Sequence, residues 1–430
     1  MRDLVLAAFR PRTSPPALAT VLRSILWPLA ILFIIHRSYV LATNGYITDD
    51  YGPVYRAVVN FKMGWDIYNE HFNHVDPHYL YPPGGTLIMA PFGYLPVDAS
   101  RYWFITFNAI AIILAAYFLI RLFGFKFDSV ALPALLVAMF ISESVVNTLV
   151  FGNINGCILL LEVLFFRWLL DGNRNHEWLA GTAIGLTLVV KPLLAPLLLI
   201  PLLNRQWRAL IPALLVPIAF NAAAWPLVKD PMNFVTRTSA YIFTTRDYFN
   251  SSIAGNGLYY GLPVWLTLLL RLAFIVLAVV SLWLLYKYYR TRDPLFWMMT
   301  SSGVLLIMSF LVSSLGQGYY SMMLFPFLMT VVLRNSVLRN WPAWLAIYGF
   351  MSSDRWLLGH WPTTGRFLEY MKFTYGWCLM LIVVFCVLYF RYLDAKAENR
   401  LDDGIDPPWM RDVDVAEPPA PARSTAPSDG

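Results

Sequence analysis

Residues 178–203 read Trp178-Leu-Ala-Gly-Thr-Ala-Ile-Gly-Leu-Thr-Leu-Val-Val-Lys191-Pro192-Leu-Leu-Ala-Pro-Leu-Leu-Leu-Ile-Pro-Leu-Leu203. A lysine and a proline divide this apolar run into two arms of about a dozen residues, each ~20 Å long as a helix against a hydrocarbon core of ~30 Å. Neither arm crosses a bilayer comfortably. Both outer ends are basic, with Arg174 before and Arg205 and Arg208 after, so the pattern predicts a re-entrant or tightly bent pair with Lys191 at its tip. The alternative is one long span kinked at Pro192, which would put Arg205 and Arg208 on the side opposite Arg174 and break the charge alternation of the chain.

Outward from this stretch the same pattern repeats. Of the 430 residues 58% are hydrophobic and only 13% charged, so a charge in or beside an apolar run needs an interface or a role. Apolar runs fall at residues 24–41, 102–120, 131–149, 154–170, 209–225, 265–286, 295–312, 320–333, 341–351 and 376–389. They predict an all-α polytopic integral membrane protein with about 10–12 transmembrane segments. Arg2, Arg10, Arg12 and Arg23 precede the first run, which lacks a small-residue cleavage site and reads as an uncleaved span. Arg121, Lys126, Arg174, Lys287, Arg290, Arg292, Arg334 and Arg339 then fall on the inner side, leaving residues 42–100, 151–153, 226–261, 313–319 and 352–372 outside, with both termini cytoplasmic. The net charge of +6 is thereby accounted for by topology and implies no nucleic acid. Residues 1–392 form the membrane domain, and residues 393–430, acidic and rich in Pro and Ala, are expected to be a disordered cytoplasmic tail. Cys157, Cys378 and Cys386 lie in apolar runs without ligand spacing and read as small buried hydrophobes.

Function is therefore expected in the outer loops. Asp49 and Asp50 follow the first run and precede Tyr51-Gly52-Pro53, where a helix carrying Tyr55 and Arg56 can begin along the membrane surface. A carboxylate here can act as a general base toward a substrate hydroxyl or can cap the helix, and two adjacent Asp allow one to cap while the other projects. His71, His74, Asp76 and His78 invite a metal reading, but beside Pro77 they look like an ordinary exposed loop; no metal site is assigned. Tyr81-Pro82-Pro83-Gly84-Gly85 enters a stretch, 87–95, too short to span, which reads as a loop dipping into the outer leaflet. Gly152-Asn153-Ile154-Asn155-Gly156 opens a run with small residues and amides, which either tolerates an anion at a helix start or packs helix on helix. Lys191 can hold a phosphate as a point charge or snorkel to headgroups. The other outer loops add Arg237, Arg246, Asn250, Ser251, Gln317, Tyr319, Tyr320, Arg355 and Glu369, a partly cationic face opposite the acidic first loop.

In this order Asp49-Asp50-Tyr51 with Tyr55-Arg56-Ala57, Tyr81-Pro82-Pro83, Gly152-Asn153-Ile154-Asn155, Lys191-Pro192 and Asn250-Ser251-Ser252 form a recognisable set. Over residues 20–392 the chain resembles the GT-C superfamily of polyprenyl-phosphate-sugar-dependent glycosyltransferases and, within it, glycosyltransferase family 87. Many members carry a Ser-Pro-x-Ser-Trp-x-His-His run; here the corresponding stretch is Ser314-Leu315-Gly316-Gln317-Gly318-Tyr319-Tyr320, without His, which looks like the arabinofuranosyltransferase branch rather than mannosyltransferases. The resemblance implies a decaprenyl-phosphate-linked arabinofuranose donor, an arabinan acceptor extended by α-1,3 branches, membrane lipids as surroundings, a plasma-membrane location and an active site on the periplasmic face. No cofactor beyond the lipid-linked donor is expected, and a divalent metal is not indicated. Asp50, or Asp49, is the expected base. Lys191 with Arg237, Arg246 and Arg355 is expected at the donor phosphate, and Tyr55, Arg56, Tyr81, Asn153, Asn155, Asn250, Ser251, Gln317, Tyr319 and Tyr320 around the substrates. A polyprenyl-phospho-mannose-dependent mannosyltransferase and a polyprenyl-lipid or sugar-phosphate transporter are the competing expectations.

Overall fold

In a bilayer a run of apolar residues must satisfy its own backbone N–H and C=O groups, and a helix does so within the run. The computed structural model describes residues 17–45, 49–73, 75 and 77–411, and its regular structure is helical. In chain order the helices are α1 (Ala17–Ile35), α2 (Tyr51–Met63), α3 (Pro83–Met89), α4 (Val97–Leu122), α5 (Ala131–Ile141), α6 (Glu143–Val150), α7 (Asn155–Leu170) and α8 (Arg174–Val190). They continue as α9 (Pro192–Leu203), α10 (Trp207–Ala224), α11 (Ile253–Tyr259), α12 (Val264–Tyr288), α13 (Pro294–Val312), α14 (Trp341–Met351) and α15 (Pro362–Ala397). Several starts carry local signals: Asp293 accepts from the Phe296 N–H at 2.9 Å and Asn340 from the Ala343 N–H at 3.0 Å, each followed by Pro at the first helical position. Among the described residues six helices are long and apolar enough to cross a membrane, and a bent pair adds a seventh. The expected polytopic helical membrane fold is what the chain adopts.

Lys191 and Pro192 break the quoted stretch as the charge pattern requires. Lys191 takes extended backbone angles (φ −142°, ψ 124°), ending α8. Its ammonium reaches Asn153 and Asn155 where α7 begins. Beyond the end of α9, Gln206 donates to Leu169 O at 3.0 Å, while Arg290 donates to Leu203 O at 3.0 Å, so α9 returns to the end of the bundle where α7 and α12 finish. The two arms form the bent pair. α8 lies close against α10 because Gly181 has no side chain: a Cβ there would sit 2.1 Å from Ala209 O.

Three expected elements differ. The run 131–149 is not one straight span but α5 and α6, bent by 63° at Ser142, whose backbone is extended and whose Oγ accepts from Val145 N–H. The run 320–333 is a succession of short 3-10 and α turns over Gly318–Val332, packed inside the bundle, where neighbouring helices supply the apolar surroundings. The segment just after residue 393 is not the disordered tail expected there. α15 continues to Ala397, and the following segment docks through Ile405, which is buried, and Asp406, which accepts from the Tyr289 hydroxyl at 2.5 Å and from Arg391 at 3.1 Å. Acidic composition alone hid these few specific contacts. Arg2, Arg10, Arg12, Thr48, His74, Asp76 and residues 412–430 lie outside the described residues.

Candidate active site

The loops at one end of the bundle converge on Asp50. α6 ends in a left-handed glycine: Gly152 has φ +65°, its N–H donates to Leu149 O at 3.2 Å, and the Asn153 N–H donates back to Thr148 O at 2.8 Å. This Schellman-type ending turns the chain sharply and fixes Asn153 as the first residue beyond the turn. A Cβ on Gly152 would lie 2.7 Å from that of Tyr51, so the turn and the start of α2 need glycine here for space as well as for φ. Phe151 O accepts the backbone N–H groups of Asp50 (2.8 Å) and Tyr51 (3.2 Å), joining the two loops.

The adjacent aspartates divide the work. Asp49 Oδ1 accepts from the Tyr51 N–H at 3.2 Å at the start of α2 and lies 3.6 Å from Arg101 Nε. Asp50 makes no capping bond and is half-buried. Its Oδ2 accepts from Asn153 Nδ2 at 2.9 Å and lies 3.3 Å from the Tyr319 hydroxyl, leaving Oδ1 without a hydrogen bond among the described residues. Burial raises the Asp50 pKa above the ordinary carboxylate value, and the Asp49 charge adds to the rise; the Asn153 bond, the Lys191 charge and the Tyr319 bond oppose it.

Lys191 stands across from this carboxylate. Its ammonium donates to Asn153 Oδ1 at 2.6 Å and Asn155 Oδ1 at 3.3 Å and lies 5.7 Å from the ring centres of both Tyr81 and Tyr319. Asn153 therefore bridges acid and base with its two amide atoms. Gln317 Oε1 accepts from the Tyr319 hydroxyl, and Tyr320 packs edge-on against Tyr319, with ring centres 5.2 Å apart. Arg246 closes the far side: it donates to the Tyr241 hydroxyl at 3.0 Å, covers the Tyr241 and Tyr248 rings, and its charge acts on Tyr320 together with that of Asp50. A carboxylate with an open oxygen and a lysine joined through one amide, beside the Tyr81 and Tyr319 rings and with Arg246 beyond Tyr320, can take a proton and hold a phosphate.

Other nominated residues have local duties. Arg237 donates to the carbonyls of Tyr68 (3.4 Å) and Glu70 (3.0 Å), bracing the first loop. Asn250 donates to Arg246 O and Ser314 O and accepts from the N–H groups of Ser252 and Gly316, so it staples two loops. Ser251 donates its N–H to Gly316 O at 2.6 Å, and its carbonyl accepts from Thr374. Tyr55 donates its hydroxyl to Leu95 O at 2.9 Å, and Arg56 is exposed. Arg355, 64% exposed, pairs with Glu369 at 2.9 Å and is not among the groups acting on Asp50 or Lys191. His78 meets Glu70 at 3.1 Å, and among the described residues no three His, Cys, Asp or Glu stand together as metal ligands. Arg101 was not nominated, yet it donates to Ala42 O (2.6 Å) and Val150 O (2.8 Å) besides its pairing with Asp49. Its signal was available: a charge immediately beside an apolar run needs an interface or a partner.

The profile of glycosyltransferase family 87 matches residues 79–314, more than half of the chain. Among curated proteins the chain is 76% identical over 406 residues to an alpha-(1->3)-arabinofuranosyltransferase of Mycolicibacterium smegmatis, covering 94% of each chain. It is 70% identical over 406 residues, again 94% of each, to the protein of that name from Mycobacterium tuberculosis. To the Corynebacterium glutamicum protein of that name it is 43% identical over 363 residues, 84% of this chain and 86% of the relative. With the family profile matching more than half of its residues and near-complete coverage by these relatives, the chain belongs to glycosyltransferase family 87.

Proposed function

We propose that this glycosyltransferase is an α-(1→3)-arabinofuranosyltransferase that takes arabinofuranose from decaprenyl phosphate and adds it as a branch to cell-wall arabinan. The relatives' shared name supports the sugar and the linkage. The observation that carries the chemistry is the arrangement of Asp50, uncapped and open at Oδ1, opposite Lys191 across a shared Asn153. In this reading Asp50 accepts the proton of the acceptor hydroxyl as its oxygen attacks the anomeric carbon. The C1–O bond to the phosphate breaks in the same displacement, a β-linked donor gives an α-linked product, and decaprenyl phosphate leaves. Phosphate is a good leaving group, so the demand is for positive charge where negative charge builds, and Lys191 with Arg246 supplies it. The reading assigns no step to a metal ion.

Sidedness is inferred from charge. Arg121 and Lys126, Arg174, Arg205 and Arg208, Lys287 to Arg292, and Arg334 with Arg339 all belong to connections at the end of the bundle away from Asp50, which supports a cytoplasmic location for that end and an external one for the site. The test is transfer by the purified protein from decaprenyl-phospho-arabinose to a synthetic arabinan, followed by linkage analysis. New 3-linked branch points are expected, with no product from a polyprenyl-phospho-mannose donor. Mannose transfer, or movement of the lipid donor between leaflets without a glycosidic bond, would replace this reading.

A further inference from the structure

The bend between α5 and α6 leaves Glu143 in the first turn of α6, buried in the bundle with a carboxylate that apolar surroundings do not favour. Its partner comes from α15: Lys372 Nζ donates to Glu143 Oε2 at 2.6 Å, and both side chains are at least nine-tenths buried. Lys372 also donates to Asp354 O at 3.1 Å and lies 3.9 Å from Glu369, which in turn holds Arg355 and the Trp356 N–H. Asn147, one turn along α6, donates to the other oxygen of Glu143 at 3.3 Å. The start of α6 is thus bolted to α15 and to the segment following α14. Without Glu143 the ammonium would face the positive end of α6, an unfavourable placement.

The other end of the same two-turn helix is the catalytic loop. Phe151 O holds the Asp50 and Tyr51 N–H groups, and Asn153, set by the Schellman-type ending, holds the Asp50 carboxylate and Lys191. A helix of eight residues is a strut about 12 Å long that transmits displacement at one end to the other.

We propose that the buried Glu143–Lys372 pair is a positioning device for catalysis: through α6 it sets the register at which Asn153 and Phe151 present Asp50 to the acceptor. The proposal rests on the reading of Asp50 as the base. Neither residue is placed against substrate, and Lys191 keeps Asn155 as a second partner, so the effect falls on turnover more than on donor affinity.

Lys372→Met, the double variant Glu143→Gln/Lys372→Met and the conservative Lys372→Arg are compared as full-length proteins, with Asp50→Asn alongside. The double variant leaves no unpaired member of the pair, so it reads the positioning effect even where Lys372→Met alone fails to fold. In the double variant kcat is expected to fall about ten-fold or more, with the donor KM within roughly two-fold of wild type. The acidic limb of its pH profile should move to higher pH, because the Asn153 bond that favours ionised Asp50 is loosened. Lys372→Arg should restore most of the rate. A folded double variant with wild-type kcat and an unmoved acidic limb overturns the proposal and leaves the pair a packing feature. Wild-type transfer by Asp50→Asn instead overturns the base assignment, and the proposal with it.

Discussion

Two neighbouring carboxylates, Asp49 and Asp50, stand in different environments. That one of them should cap and the other project was legible in the doublet itself, whereas which does which was not. The choice is made by Arg101, which engages Asp49, and by Asn153 and Tyr319, which reach Asp50 from 103 and 269 residues away. Local sequence rules cannot see such partners. Since burial raises the Asp50 pKa and only its ionised form accepts a proton, activity should be present above that raised pKa and lost as pH falls through it, at a higher pH than an ordinary carboxylate would give. A pH profile of kcat/KM checks this, and Asn153→Ala should move the acidic limb further up. Lys191 tests a second role at this scale. If it holds the donor phosphate, Lys191→Gln should lower transfer by roughly ten-fold or more, with partial rescue by Arg, because a point charge matters there more than shape. Near-normal transfer by the Gln variant would return it to a merely interfacial lysine.

At the scale of elements, the apolar runs and the basic loops made most helices legible, including the broken pair α8 and α9, whose Lys191-Pro192 break is written in the sequence. The bend between α5 and α6 has a local signal, Ser142-Glu143-Ser144 inside the run, but what holds it there is distant, Lys372 lying 229 residues from Glu143. Gly152 joins these two levels: its left-handed φ ends α6, and its missing side chain admits Tyr51. Gly152→Ala should therefore cost about 1–3 kcal/mol from backbone strain alone, with the collision against Tyr51 adding to it. Thermal unfolding and transfer should both report the loss. A variant with unchanged midpoint and full activity would show that the loop can re-form without glycine.

At the scale of the whole molecule, charge alternation foretells a two-ended bundle, and the described residues are arranged so, with the polar residues of the site at one end and most of the basic connections at the other. The docked segment around Ile405 and Asp406 escaped composition because a handful of contacts, rather than a hydrophobic face, holds it. Sidedness is checked by single cysteines in a cysteine-free background. At Phe243, 78% exposed at the site end, labelling by an impermeant maleimide is expected in intact cells; at Phe127, 60% exposed at the other end, only after permeabilisation. The reverse pattern would place the site in the cytoplasm. The central claim, that Asp50 is the base of an arabinofuranosyltransferase, is tested most directly by transfer from decaprenyl-phospho-arabinose to a synthetic arabinan by purified Asp50→Asn and Asp49→Asn proteins. Asn caps a helix about as well as Asp, so Asp49→Asn should retain most of the rate, while Asp50→Asn should lose roughly 10²-fold or more with donor binding kept. Wild-type transfer by Asp50→Asn would contradict the account.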